Sequence, residues 1–188
     1  MTQVRAYLAM SLDGFVAGPA DDLAWLDRTA ERAPIGAEPW TSADTDQPLD
    51  FEPFLDQVGA ILMGRRTYDV AAGFDQWAYR DIPMLVATHR DLGHARPSVT
   101  AVDGSLAELL ARAREHAGDK DIYIDGAMMV REALEQRLLD HLVVTLMPTV
   151  LGAGVALFAG STHPTELTVE RVARYGPGLV QLHLRPSG

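Results

Sequence analysis

Gly64-Arg65-Arg66-Thr67 places two guanidinium groups and a hydroxyl directly behind a glycine that ends an apolar run. A helix starting there would aim its free N–H groups, and the positive end of its dipole, at one point. Arginine forks match phosphate or carboxylate oxygens, and the Thr67 hydroxyl adds another donor. The same residues also suit a solvated helix start, and the pattern alone leaves both readings open. A second junction of this kind is Ile124-Asp125-Gly126-Ala127-Met128. Gly126 and Ala127 are small enough for a pyrophosphate to approach a helix start, although the pattern is not GxGxxG. Leu151-Gly152-Ala153-Gly154 is a third, where the glycines either line a ligand or form a tight corner.

Candidates for proton transfer lie early in the chain: Asp13, Asp21 and Asp22. A carboxyl in a partly apolar cleft has a raised pKa and can protonate a group that is receiving hydride. Aspartate at these positions serves equally as a helix cap or turn former. Trp25 follows Asp22 at about one helical turn, so the two could share a pocket-facing side. The six histidines show no HExxH spacing and there is no cysteine, so no metal site or thiolate nucleophile is expected. Neither GxSxG nor a P-loop occurs, which removes the commonest hydrolase and nucleoside-triphosphatase motifs.

The bulk properties agree with a small-molecule enzyme. A length of 188 residues suits one domain, and 47% hydrophobic residues can fill a core. The net charge of −10 repels phosphate backbones, so nucleic acid is not an expected partner. No apolar run approaches the roughly 18 residues of a membrane span. The opening MTQVRAYLAMSLDGF reads as a strand rather than a signal peptide, and a soluble cytoplasmic protein is expected.

Elements that would position these groups are legible from periodicity. Buried strands are expected at Val4–Met10, Ala60–Met63, Pro83–Thr88, Val99–Val102, Asp121–Asp125 and Leu142–Leu146. Helices are expected at Asp22–Arg32, Phe51–Gln57, from Arg66 or Thr67 onward, at Ser105–His116 and from Gly126 to about Gln136. Ser105 and Glu108 make a capping box for the fourth of these. Residues 33–50 carry three prolines and no clean period, which predicts a long surface loop or lid. Two last strands, near Leu167–Ala173 and Leu179–Leu184, meet through Gly176-Pro177-Gly178 as a hairpin. This order predicts an α/β fold, with a mostly parallel sheet flanked by helices and an antiparallel C-terminal edge. Ligands in such sheets lie beyond the C-terminal strand ends.

Four segments, in order, resemble the dihydrofolate reductase superfamily, and more closely its bacterial branch that includes the riboflavin-biosynthesis reductase domain. They are AMSLDGFVAG, ILMGRRTYD, IYIDGAMMVREAL and MPTVLGAGVALF, and the resemblance runs from Val4 to about Leu184. It implies NADPH lying across the strand ends. Gly64, Arg65, Arg66 and Thr67 would hold the adenosine side and its phosphates, with Thr88, His89 and Arg90 near the ribose 2′-phosphate. Asp125, Gly126, Ala127 and Met128 would take the pyrophosphate. Asp22-Leu23-Ala24-Trp25 resembles the helix that carries the substrate-binding carboxylate, which implies Asp22 as the acid, with Asp13 as the other candidate, and Trp25 at the pocket. A small heterocyclic or carbonyl substrate and a homodimer are also implied. Asp125 stands where the branch has the first of two glycines. Two other readings are reduction of a ribosylaminopyrimidine phosphate in riboflavin synthesis, and nucleotide binding without turnover.

Overall fold

The computed structural model describes residues 1–30, 47–175 and 178–187. The predicted loop at 33–50 and the Gly176-Pro177 part of the expected hairpin turn lie mostly outside the described residues, as does the far end of the first helix. Strands β1 (Val4–Ser11), β3 (Val58–Gly64), β4 (Met84–Ala87), β5 (Val99–Val102), β6 (Asp121–Asp125), β7 (His141–Met147), β9 (Leu167–Tyr175) and β10 (Leu179–Pro186) form one eight-stranded sheet. Its order is β5-β4-β3-β6-β1-β7-β10-β9. Pairing is parallel from β5 to β7 and antiparallel in β7-β10-β9. The apolar run of β3 is buried almost throughout, as a parallel strand covered on both faces requires.

The helices are α1 (Ala24–Ala30), α2 (Phe51–Leu55), α3 (Arg65–Ala72), α4 (Leu106–Ala117) and α5 (Ala127–Glu135). The expected capping box opens α4, with Ser105 and Glu108 each accepting the other's backbone N–H. One face of the sheet packs Val4, Ala6 and Ile122 against Leu109, Leu110 and Val130 of α4 and α5. The opposite face packs Ile61, Met63 and Tyr123 with Phe54 of α2 and Tyr68 of α3. Among the described residues, no helix is long and apolar enough to cross a membrane.

A two-stranded ribbon was not foreseen: β2 (Phe15–Ala17) pairs antiparallel with β8 (Val155–Ala156). Gly154 permits it, because a Cβ there would lie 2.0 Å from the Ala17 carbonyl oxygen. The ribbon folds the segments after β1 and β7 over the C-terminal ends of the central strands.

Candidate active site

A cleft of about 240 Å³ opens where β1 and β6 end. Leu23 and Leu26 line it together with Val70 of α3, Phe74 just past that helix, and Val16, Ala17 and Val155 of the ribbon. Its floor is made by Tyr7, Leu8, Ala9 and Asp125. The walls are apolar, and the polar groups are few and fixed in place, which is how sites for small organic ligands are built.

At one end two helices begin at the same place. Gly64 precedes α3, and Gly126 precedes α5. Gly126 has φ 100°, and a Cβ on it would lie 2.3 Å from the Thr67 hydroxyl oxygen. The missing side chain lets the two helix starts approach each other. Unpaired N–H groups of two first turns, the Thr67 hydroxyl and the Arg66 guanidinium converge there, a donor set that fits phosphate oxygens. Arg66 is already engaged: Nε meets Asp21 Oδ2 at 2.8 Å and Nη2 meets Asp21 Oδ1 at 2.8 Å. Asp21 and Ala20 both hold positive φ, 61° and 57°, so the 3₁₀ turn Pro19–Asp21 is strained in the geometry that presents this carboxylate.

Asp125 is 7% exposed, at the cleft floor. The Tyr79 hydroxyl donates to its Oδ2 at 2.6 Å, while the hydroxyl of Tyr123, two residues back on β6, donates to the Tyr7 carbonyl at 2.9 Å. Burial pushes this carboxyl up from its ordinary value, and the hydrogen bonds of the Tyr79 hydroxyl and the Gly126 N–H draw it part of the way back. Burial and the neighbouring carboxyl hold both phenols far above their usual range, so they remain neutral donors.

The expected site residues separate into groups. Arg66, Thr67, Asp125, Gly126 and Ala127 line the cleft. Arg65 turns away from it, donating to Asp69 at 2.7 Å and to the Asp91 carbonyl at 2.9 Å. That contact brings Arg65 to the segment after β4, where Thr88 accepts from the Arg90 N–H and His89 meets Asp103 at 3.0 Å. Met128 is exposed on the first turn of α5, and Gly64 lies buried at the end of β3.

Three expected residues take other places. Asp22 is exposed, does not line the cleft, and its carboxylate accepts the Ala24 N–H at 3.0 Å at the start of α1. Trp25 points into the core, 2% exposed, beside Met147 and Leu179 rather than at the cleft wall. Asp13 accepts from the Ser11 hydroxyl at 2.7 Å, Leu151 N–H at 3.0 Å and Gly152 N–H at 2.7 Å. Donation by Ser11 is the largest influence and lowers its pKa to about 2, so Asp13 is ionised at neutral pH and has no proton to give. Its work is to fasten the turn at Leu151–Gly152 to the end of β1.

Sequence reasoning missed Tyr79 as the partner of Asp125. Tyr79 belongs to an irregular connection and reaches Asp125 across 46 residues, with no periodic signal to mark it. It also passed over the pairing of Asp21 with Arg66, whose signal is only the charge of each residue.

The family model described as the RibD C-terminal domain matches residues 2–181. The uncharacterized protein YwjB of Bacillus subtilis is 26% identical over 94% of each chain. A Shewanella sp. PV-4 protein provisionally assigned to riboflavin biosynthesis superposes with a TM-score of 0.80, at 26% identity and full coverage of both chains. At 14% identity, Enterococcus faecalis dihydrofolate reductase complexed with NADP(H) shares the fold, with a TM-score of 0.57 over 99% of this chain and 97% of that one.

Proposed function

The chain belongs to the RibD C-terminal domain family, and from that premise we propose that it is a reductase using NADPH to reduce a C=N or C=O group of a small, planar, neutral heterocycle. The observation that carries this reading is the approach of Thr67 to Gly126, which joins two helix starts and Arg66 into one phosphate cradle beside an apolar cleft. Arg66, Thr67 and the first amides of α5 hold the diphosphate. Arg65, with Thr88, His89 and Arg90, is placed for the adenosine end and its 2′-phosphate. Bound in this way, the dinucleotide supplies hydride chemistry that no side chain can. The chain's own task is to orient the ring between Leu26 and Phe74 and to keep water from it.

The cleft itself favours a neutral substrate over a ribosylaminopyrimidine phosphate. Arg66 is the only cation among the described residues that line it, both Asp21 oxygens engage it, and two carboxyl groups share the space. A substrate phosphate would find no spare positive partner there.

Titration of NADPH and NADH into the purified protein tests this. Selective NADPH binding is expected, weakened about 10- to 100-fold in Arg66→Ala by loss of charge-assisted hydrogen bonds. Failure to bind either nucleotide would sink the reductase reading. Binding without oxidation by any carbonyl or imine would favour the nucleotide-binding alternative.

We propose further that two copies pair through the C-terminal edge. The β9–β10 register puts Val169, Val172 and Val180 on one face, all three exposed, beside the half-buried Leu182. Light scattering is expected to give a dimeric mass that Val172→Lys reduces to the monomer. A monomeric wild type would remove the proposal.

A further inference from the structure

The cleft floor holds an acid that the family resemblance did not assign. We propose that Asp125 is the proton donor of the reaction: it carries a hydrogen in the free protein and presents it to the acceptor atom of a neutral heterocyclic carbonyl or imine. This rests on the reductase reading above.

The hydrogen-bond arithmetic of the tyrosines carries the argument. Tyr123 has one hydroxyl proton, and it donates that proton to the Tyr7 carbonyl at 2.9 Å, a group that can only accept. With its proton committed to a carbonyl, this phenol has none to offer an Asp125 carboxylate. Tyr79 donates to Asp125 Oδ2 at 2.6 Å. The remaining titratable groups around the cleft are Tyr7 on β1 and, across the opening, Arg66 of α3 with Asp21 of the 3₁₀ turn. Arg66 is held bidentately by Asp21, so it is not presented to Asp125 as a counter-ion. Burial acts in the same direction, since an uncompensated carboxylate here would lose hydration with only one phenol and one amide to replace it.

The two acids of the resemblance are poorly placed for the task. Asp13 is ionised, and the Asp22 carboxylate is occupied at the start of α1 outside the cleft. During reduction the substrate carbon takes hydride from the dinucleotide, the C=O or C=N π pair takes the Asp125 proton, and the carboxylate left behind recovers a proton from solvent. Tyr79 steadies that carboxylate through its hydroxyl, which makes it a positioning residue.

Infrared difference spectroscopy of the wild type against Asp125→Asn reads the proton without cofactor or substrate. A protonated-carboxyl C=O band is expected near neutral pH, absent from Asp125→Asn, shifted in D₂O and displaced in Tyr79→Phe. Isatin, a planar neutral heterocyclic dione, is the probe. With NADP⁺ present it should shift the same band, and isatin-dependent NADPH oxidation should fall about 10²- to 10⁴-fold in Asp125→Asn. NADPH affinity should change less than about threefold, since the phosphate donors are untouched. The proposal is overturned by absence of the band, by a band that isatin does not move, or by loss of oxidation in Asp22→Asn while Asp125→Asn stays active. None of the infrared outcomes in the free protein depends on NADPH binding, so they separate this proposal from the reductase reading.

Discussion

Gly126→Ala is expected to remove dinucleotide binding while leaving a folded protein. The new methyl would lie 2.3 Å from the Thr67 hydroxyl oxygen, so α3 or α5 must retreat. At φ 100° the backbone is in a region open to glycine alone, adding a cost of about 1–3 kcal/mol. The strain and the clash fall on the same few atoms, where two helix starts must stay together to face one diphosphate. NADPH affinity should drop more than about 100-fold, beyond the effect of losing Arg66 alone, because every donor in the cradle shifts together. Combining the change with Thr67→Ala removes the clash but not the strained φ, so binding should recover only in part. Wild-type affinity in Gly126→Ala would show that the diphosphate lies elsewhere.

The largest loss of stability is expected from Phe54→Ala. Phe54 is fully buried, with ring centroids 4.9 Å from Tyr7 and 5.0 Å from Tyr123, and the Arg5 guanidinium carbon 5.1 Å from its own. Truncation removes the ring from a packed aromatic cluster and leaves a cavity, costing about 3–5 kcal/mol. A urea unfolding midpoint that moves down at constant slope would report it. Tyr123 packs against the same ring, so the infrared band of Asp125 should also broaden. A loss under about 1 kcal/mol would contradict the packing described.

Much of the sheet could be read from the chain because central parallel strands are buried runs bounded by glycine or a polar turn, as in VGAILMG and DIYID. The capping box of α4 was legible for the same local reason. The β2–β8 ribbon was not, because three- and two-residue strands carry no period and Gly154 shows its use only against Ala17. In the site, Arg66, Thr67 and Gly126 were found through local chemistry at strand ends. Asp22 and Trp25 were placed by resemblance at the pocket, but the turn at Pro19–Asp21 brings the preceding carboxylate to the cleft and sends the indole inward. Asp125 was read as standing at the pyrophosphate, where the branch has the first of two glycines. Its partner Tyr79 comes from a distant connection, and only the folded chain brings the two together.

The central place of β1 sets the timetable on which the chain can fold. Both of its neighbours, β6 and β7, lie more than a hundred residues downstream, and the Val4 N–H waits for a carboxylate 136 positions away. While the polypeptide is being synthesised, β1 leaves the ribosome before either partner and therefore has two unpaired edges. Contacts of such long range slow folding, because loop closure must precede their reward. A nascent chain halted before β6 would expose Val4–Ser11 as a sticky ribbon, and protection at that stage falls to chaperones rather than to the protein's own helices.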